Sequence, residues 1–443
     1  AMLLRTKLNN IRYKKILSIL VSILSLGFLS SKATAEYKID EIVSLYKFLH
    51  SNPELSWQED KTSNYLANIL EANGYNVTRG VGKKGVVAIL KNGKGPTLMI
   101  RADMDALPVE EKTNLEYASK VRQVNRFGKE VPVMHACGHD IHMSVLIGTA
   151  KNLISMKNKW SGTLMLILQP AEEVGQGSLA MLEDGLFERF PRPDFNLALH
   201  VGGMGPAGTI GYQLGYAMAN VDSVDIIVNG VGGHGAYPHT TIDPIVLASQ
   251  IVLSLQTIVS RKIDPLEPAV VTVGSIHGGL KHNIISEEVR LQLTLRSYSD
   301  EVRNKTINEI KKIVRGLGIA AGLPENKMPN VLVKDEYTPA LYNDPEFSIK
   351  VLNFIRNEIG KDNVVEISAV MGGEDFARYG RQDPRIPSLL FWLGGTSKEN
   401  WKKYLNDEID MVSIHSPFFA PDPEPTITTG IRAMTASALG LLK

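Results

Sequence analysis

Residues 98–105 read Leu-Met-Ile-Arg-Ala-Asp-Met-Asp, an apolar run that leads directly into two aspartates. A short apolar run between helical stretches is typical of a buried strand, and open α/β sheets expose functional groups at the carboxyl ends of their strands. Residues 164–168 lead in the same way into Gln-Pro-Ala-Glu-Glu, and residues 197–199 lead into His200. These runs predict an α/β fold with acidic and imidazole groups at strand ends, although any one group alone is also typical of a helix cap.

Residues 134–144 read Met-His-Ala-Cys-Gly-His-Asp-Ile-His-Met-Ser and contain Cys137, the only cysteine of the 443 residues, two positions before His139. Thiolate and imidazole are preferred ligands of zinc and neighbouring metals, and two such groups separated by one glycine can converge on one ion. A buried free cysteine beside unrelated histidines is the alternative for so short a motif. The strand-end groups, together with His415 near the other end of the chain, favour the metal site.

The order of apolar patterns along the chain predicts two structural units. Helical spacing over residues 39–50 and 60–72 alternates with strand-like runs, as in an α/β layer. From about Ala217 the pattern changes to βαββαβ, the order of a ferredoxin-like module. Its predicted elements are the strand Val221 to Val228, the helix Asp243 to Ser260, the strands Ala269 to Ile276 and Val289 to Arg296, the helix Glu301 to Gly316, and a last strand near residues 331–333. The sequence therefore predicts a mixed-sheet α/β domain with a ferredoxin-like domain inserted into it.

Seven ordered motifs resemble those of the M20 metallopeptidase family. The closest resemblance is to the amidohydrolase branch, which includes hippurate hydrolases, N-acyl-amino-acid amidohydrolases and plant auxin-conjugate hydrolases. The matching stretches are residues 50–56, 101–108, 135–140, 170–173, 232–239, 371–376 and 415–417. Where the wider family carries its first metal-binding histidine, this chain has Arg101, and the Cys137/His139 pair appears instead. This branch signature argues against the broader aminoacylase and glutamate-carboxypeptidase groups.

The resemblance implies a centre of two divalent metal ions. The implied ligands are Cys137, His139, Glu173, His200 and His415. Two ions about 3.5–4 Å apart can share a ligand and a water, lower the pKa of that water and polarise a scissile carbonyl. Thiolate and imidazole favour zinc, but mixed sites also take manganese, cobalt or nickel.

The resemblance also implies catalytic and substrate-binding residues. Glu172 is expected to be the general base and Asp103 to orient a ligand, with a strand-end cap as the alternative for Asp103. His234 is expected to reach across a dimer and stabilise the oxyanion, with a local turn as its alternative role. Asn283 and Arg296 are expected to grip the substrate carboxylate, although Arg296 is also consistent with a surface strand. In the resembled family the inserted domain is both a lid and the dimer interface, so we expect a homodimer.

Composition is that of a folded protein that acts on small molecules. The 44% apolar content supports full cores, and the formal net charge of +1 offers no electrostatic attraction to nucleic acid or to an anionic membrane. We therefore expect no nucleic-acid partner and no stable membrane association of the mature chain. The expected partner is a small-molecule substrate.

The N-terminus reads as an export signal. Basic residues at 7, 12, 14 and 15 precede an apolar run at residues 16–29, and Ala33-Thr34-Ala35 supplies a small-residue cleavage site. The run is shorter than the roughly 20 residues of a membrane span, although an uncleaved anchor is the alternative. Ala1 before Met2 is interpreted as a residue left by cloning. The predicted domains are a signal peptide at residues 1–35, a catalytic domain at 36–216 and 337–443, and the inserted domain at 217–336.

These observations predict an exported, periplasmic or secreted, metal-dependent amidohydrolase that cleaves N-acyl amino acids. A metallo-carboxypeptidase or dipeptidase is the alternative within the same chemistry, and a non-catalytic metal- or peptide-binding relative is a further one. A cysteine hydrolase would use Cys137 as nucleophile and His139 as base, but residues separated by one glycine rarely reach attack geometry together. That reading also leaves Glu172 and Glu173 without a role.

Overall fold

The computed structural model describes residues 38–443, so the predicted signal peptide lies outside the described residues. The strands are β1 (Asn76–Val81), β2 (Gly85–Asn92), β3 (Thr97–Asp103), β4 (Arg122–Val124), β5 (Glu130–Pro132), β6 (Gly162–Gln169), β7 (Phe195–Pro206), β8 (Ile210–Tyr212), β9 (Gly215–Met218), β10 (Asn220–Asn229), β11 (Gly233–His234), β12 (Ala269–Gly278), β13 (Ile284–Ile285), β14 (Glu288–Ser297), β15 (Asn330–Val333), β16 (Leu341–Asn343), β17 (Val364–Glu366) and β18 (Ser388–Thr396). The α-helices are α1 (Ile39–Ser51), α2 (Asp60–Ala72), α3 (His139–Ser155), α4 (Gly177–Glu183), α5 (Leu186–Arg189), α6 (Pro244–Thr257), α7 (Asp300–Ala320), α8 (Pro345–Ile359), α9 (Ala377–Gly380), α10 (Lys398–Leu405) and α11 (Pro423–Leu441).

The larger sheet has eight strands in the order β1-β2-β6-β3-β7-β18-β8-β17. The four central strands, β6, β3, β7 and β18, run parallel, whereas β1, β2 and β8 pair antiparallel with their neighbours toward the sheet centre. Parallel strands are covered on both faces, which explains why residues 164–168 are continuously apolar and fully buried. The mixed sheet predicted from the sequence is confirmed.

Helices cover both faces of this sheet. On one face α1, α3, α8 and α11 pack around a core that includes Leu49, Ile147 and Ile431. The other face is covered by the shorter α4, α5 and α9, and Met181 and Phe376 are buried there. Burying each such side chain contributes roughly 1.5–3 kcal/mol, so the layered core fixes the strand ends that carry the polar groups.

The inserted unit has its own four-stranded antiparallel sheet in the order β12-β14-β10-β15. Helices α6 and α7 pack on one face, and the alternating Val289, Leu291, Leu293 and Leu295 of β14 are buried against them. The predicted βαββαβ order is therefore present. The helix predicted to reach Ser260 is regular only to Thr257, because a π-helical turn follows it.

The two chain crossings into and out of the inserted unit lie side by side. Val221 N donates to Thr338 O at 2.8 Å, and Thr338 N donates to Val221 O at 3.0 Å. Close to them, Arg303 Nη2 lies 2.6 Å from Asp222 Oδ1. The chain thus enters and leaves the inserted unit at neighbouring residues that are hydrogen-bonded to each other.

Part of the outer surface of the inserted unit is apolar. Within residues 38–443, only the helix Pro244–Lys262 is long and apolar enough to cross a membrane by length and composition. Its Leu247 and Ile251 face the sheet and are buried, whereas Val246 and Leu253 are exposed. Strand β12 lies beside it at an edge of the sheet, so a helix and an unpaired strand edge together present apolar surface to solvent.

Candidate metal centre

Three predicted ligands meet at the sulfur of Cys137. His200 Nε2 lies 3.4 Å and His415 Nε2 lies 3.3 Å from Cys137 Sγ. Glu173 Oε2 lies 3.6 Å from His415 Nε2, on the same side. His415 is the exposed member of this group, with 51% of its side chain accessible, so the site opens to solvent there.

The remaining predicted ligand, His139, faces a group of carboxylates. Its Nε2 atom lies 3.8 Å from Glu173 Oε1, 3.9 Å from Glu172 Oε2 and 3.6 Å from Asp103 Oδ2. The ligand atoms of Cys137, His139 and His200 form one group within 4.8 Å of one another, and those of Cys137, Glu173 and His415 form a second. The structure therefore brings all five predicted ligands together around one thiol.

Hydrogen bonds aim the imidazole ligands at the centre. His139 Nδ1 lies 2.7 Å from Asp105 O, and His200 Nδ1 lies 2.8 Å from Val201 O. A carbonyl accepts only, so Nδ1 carries a proton in both rings and Nε2 is the atom that can bind a metal once it is deprotonated. Both His139 Nε2 and Glu173 Oε1 are buried and have no hydrogen-bond partner among residues 38–443. A metal ion satisfies such atoms, and the mixed sulfur, nitrogen and oxygen donor set suits zinc and neighbouring metals.

Backbone geometry explains the Cys-Gly-His motif. Gly138 has φ 84°, and a Cβ at this position would stand 2.3 Å from Val201 Cγ1. Only glycine therefore fits between Cys137 and His139 at the start of α3. His415 itself has φ 66°, and its N–H donates to Ala136 O at 2.7 Å. The two ligand-bearing loops are thus joined through the backbone.

Asp105 holds the loop that carries the two glutamates. Its Oδ1 accepts from Glu172 N and its Oδ2 from Glu173 N, each at 3.0 Å, and Ser56 Oγ donates to Oδ2 at 2.6 Å. Glu59 Oε1 accepts from the backbone N–H of Ala171, the residue before Glu172, at 2.8 Å. The sequence motif contains Asp105, but its spacing gave no sign of these bonds.

Asp103 lies beside the ligand cluster and bonds to His142 and Arg101. Its Oδ1 accepts from His142 Nδ1 at 2.6 Å, and its Oδ2 accepts from Arg101 Nη1 at 2.6 Å. His142 Nε2 in turn accepts from Val201 N at 2.8 Å, which places His142 between Asp103 and the strand of His200. His142 was absent from the predicted site, although its position three residues after His139 on one helix was a usable signal.

The pKa values around Cys137 reflect an excess of buried carboxylates. Burial, followed by the charges of Glu173 and Glu172, raises the pKa of the Cys137 thiol well above its usual range. Burial alone would lower the pKa of His139, but Asp103 and Asp105 raise it to about 10. Such a cluster favours bound positive charge, so metal binding would release protons from these groups. An unactivated thiol is the opposite of what a cysteine nucleophile needs.

The predicted residues of the inserted unit lie apart from this cluster. His234 on β11 pairs with Ile284, and Gly235 N donates to Asn283 O at 2.9 Å, so His234 and Asn283 lie close together on an exposed surface. Arg296 on β14 contacts its own strand, with Nη1 2.5 Å from Thr294 Oγ1. Among the contacts of residues 38–443, none joins these three side chains to the metal ligands.

The layered fold and the ligand cluster together define a metal-dependent amide hydrolase. The chain belongs to peptidase family M20/M25/M40, whose sequence profile matches residues 99–416. Thermostable carboxypeptidase 1 of Saccharolobus solfataricus is 38% identical over 372 residues, which cover 83% of this chain and 89% of that protein. N-acetyldiaminopimelate deacetylase of Bacillus subtilis is 34% identical over 400 residues, covering 90% of this chain and 98% of that protein. The predicted family is confirmed.

Solved structures agree with this assignment. A Staphylococcus aureus structure described as an aminohydrolase matches with a TM-score of 0.81 at 33% identity, and it covers 93% of this chain and 98% of that chain. A dinuclear metal-binding peptidase of the M20 family from Bacillus subtilis matches with a TM-score of 0.72 at 29% identity, covering 91% and 98%. N-acetyl-L-cysteine deacetylase of Bacillus subtilis is a further relative, 34% identical over 82% of each chain.

Proposed function

We propose that this protein is an exported amidohydrolase that removes the acyl group from N-acyl amino acids with the help of two divalent metal ions. The observation that carries the proposal is the convergence of four donor side chains on Cys137, which makes five donors in all, with the carboxylate of Glu172 at the edge of the group. Relatives named as deacetylases of N-acetylated amino acids support the substrate class.

Cys137 belongs to both donor groups and would help to hold the ions. His139 and His200 would complete one group, and Glu173 and His415 the other. When bound, such ions polarise a scissile carbonyl and make water a stronger acid. Zinc, manganese, cobalt and nickel all suit these donors.

Glu172 is proposed as the general base. Its backbone is fixed by Asp105, and its Oε2 atom lies 3.9 Å from His139 Nε2, at the edge of the ligand cluster. A carboxylate at this position can take a proton from the attacking water and deliver it to the leaving nitrogen. Glu173, its neighbour in the sequence, faces the ligands, so adjacent residues are expected to divide catalysis and metal binding between them.

The substrate carboxylate is proposed to bind to the inserted unit. Arg296 offers a planar guanidinium and Asn283 an amide, and His234 is the proposed donor to the oxyanion. Because no contact within the described chain joins His234 to the metal ligands, we propose that it serves the site of a second copy. The apolar surface of α6 and the free edge of β12 support a homodimer through residues 217–336.

Carboxypeptidase action on peptides is the second candidate. The similarity to the carboxypeptidase of Saccharolobus solfataricus favours it, since a peptide and an N-acyl amino acid present the same amide beside a free carboxylate. A comparison of hippurate and N-acetyl amino acids with dipeptides separates the two. Export rests on the N-terminal sequence, and N-terminal sequencing of the protein from cells, with residue 36 expected first, tests it.

Elemental analysis combined with the substrate panel tests the proposed chemistry. We expect about two metal ions per chain, loss of metal in Cys137→Ser, and amide hydrolysis that depends on the metal. If the protein binds metal but cleaves no member of the panel, a metal-binding protein without this activity would be the conclusion. A chain that takes up no metal after reconstitution would remove the proposal.

Mixed dimers test the role of His234 in the partner site. Glu172→Gln and His234→Ala subunits should each be inactive alone, and a dimer of the two carries one intact site. Part of the activity should therefore return on mixing. Verified mixed dimers without activity would exclude action across the interface.

A further inference from the structure

A buried guanidinium lies within a cluster of carboxylates directly behind the metal centre. Arg101 Nη1 lies 2.6 Å from Asp103 Oδ2, and Arg101 Nη2 lies 2.7 Å from Glu374 Oε1 and 3.0 Å from Asp375 Oδ1. All four side chains are fully shielded from solvent. Carboxylates at this depth are strongly disfavoured unless a cation pairs with them, and Arg101 supplies that charge.

Glu172, the proposed base, borders the same cluster. The carboxylate oxygens of Glu172, Glu374 and Asp375 lie within 4.8 Å of one another, a spacing that could hold a metal ion. Oxygen-only sites of this kind suit manganese and calcium better than zinc. The guanidinium of Arg101 therefore lies where a divalent cation would otherwise be favoured.

The carboxylates also accept hydrogen bonds from groups other than the guanidinium. Asp375 accepts from Gln169 Nε2 at 2.7 Å and from Ser178 N at 3.0 Å, while Glu374 Oε1 accepts from Phe376 N at 2.9 Å. The two backbone donors would remain if the cation were changed, whereas Gln169 also accepts through its Oε1 from the Nε of the guanidinium at 3.0 Å. Another cation could therefore replace the guanidinium between these carboxylates.

We propose that Arg101 is a built-in counter-cation that excludes divalent ions from this cluster and so keeps Glu172 free to act as base. A metal ion in the cluster would take Glu172 as a ligand, and a bound carboxylate is a poor acceptor for the proton of water. Arg101 is therefore a positioning residue. The inference rests on the proposed function in one respect, which is the role of Glu172.

Counting metal ions tests the inference apart from activity. The wild type, Arg101→Met and Arg101→Lys are loaded with zinc and titrated with manganese(II), whose free form is measured by electron paramagnetic resonance. We expect Arg101→Met to bind one metal ion per chain more than the wild type. Arg101→Lys keeps a cation and should match the wild type. Adding Glu374→Gln to Arg101→Met should weaken the extra site at least tenfold.

A folded Arg101→Met protein with the metal count of the wild type overturns the inference. Should Arg101→Met fail to fold, refolding with and without manganese decides instead: recovery of the native circular dichroism with manganese but not with a chelator supports the inference. If manganese gives no recovery while Arg101→Lys folds normally, the inference is wrong. The zinc content of the wild type tests the two-metal proposal separately, so the two can fail independently.

Discussion

The metal centre and the inserted unit hold their functional side chains in opposite ways. His139 and the loop of Glu173 are fixed by hydrogen bonds within the chain, and His139 is buried while the loop is half-buried. His234 and Asn283 are exposed on a two-stranded ribbon. The comparison indicates that one folded chain can arrange the metal ligands, whereas the substrate binding proposed for the inserted unit would need a second surface that meets it.

Replacing Glu172, the proposed base at the edge of the metal centre, is expected to have the largest effect on activity. Glu172→Gln keeps the shape of the side chain but removes the proton acceptor, so kcat should fall by roughly 10³–10⁴-fold, the upper part of the range for general bases. Metal content, measured by elemental analysis, should stay unchanged. Glu173→Gln is the matched variant and should lose metal, and equal metal loss in both variants would contradict the division of roles.

The next largest effect on activity is expected from replacing His234 in the inserted unit. His234→Ala should lower kcat by roughly 10²–10³-fold, as expected for loss of an oxyanion donor, with metal content and thermal stability unchanged. His239 is an exposed histidine of the same segment and provides the control, since His239→Ala should leave kcat near that of the wild type. Steady-state kinetics on an N-acyl amino acid decide the matter, and similar losses in both variants would point to a general disturbance of the loop.

A smaller effect, on metal affinity, is expected from replacing Asp105, which holds the loop of the two glutamates. Asp105→Asn replaces one of the two acceptors that hold Glu172 N and Glu173 N, so the affinity for metal should fall about 10–100-fold. Competition with a chelator measures that affinity. Ser56→Ala removes a single bond to the same carboxylate and should change it less. Metal affinity equal to that of the wild type in Asp105→Asn would show that the loop is held by packing alone.

Replacing His50, at the end of α1, is expected to have the smallest effect on activity. It should instead change the stability of the protein in a way that depends on pH. Its Nδ1 lies 2.7 Å from Asp140 Oδ2 and its Nε2 3.0 Å from Glu111 Oε1. Burial alone would lower the pKa of His50, but these two bonds raise it from 6.5 to about 9. Because the folded-state pKa is raised, the stabilisation is full below about pH 6.5 and is lost as the pH rises through about 9.

Chemical unfolding of the wild type and His50→Gln checks this dependence. The difference in free energy of unfolding should be about 3 kcal/mol at pH 6 and should shrink toward pH 10. The pKa values of Asp140 and Glu111 are lowered despite their burial, because each bonds to His50, so both stay ionised in this interval. A difference that does not vary with pH would exclude the charged imidazole.

Patterns that repeat within one element were predictable from the sequence. Alternation from Val289 to Leu295 identifies β14 because its two faces meet different surroundings, and the spacing of α1 and α2 does the same for helices. His200 was expected after a strand but lies within β7, which continues to Pro206. That extension depends on pairing with β18, almost two hundred residues away, which no local pattern records.

Within the site, motifs identified the groups that can bind metal and suggested Asp103 as a group that orients them, but they did not identify Asp105 or His142. The short Cys137/His139 motif is recognisable only together with the strand-end groups and His415. Asp105 and His142 have many ordinary roles, and their function here depends on which backbone N–H groups the fold brings to them. The placement of His234 is beyond local sequence for another reason, since its proposed partner belongs to a different copy of the chain.

Because the chain enters and leaves the inserted unit at Val221 and Thr338, which pair with each other, the unit could be exchanged as a whole. Since Val221 and Thr338 are hydrogen-bonded to each other, a short bridge from Ala219 to Thr338 could replace the whole insertion without stretching the remaining chain. Recombination at these two points would exchange the proposed substrate-binding surface for another while every proposed metal ligand stays in place. Such a join lets substrate preference diversify separately from the hydrolytic chemistry.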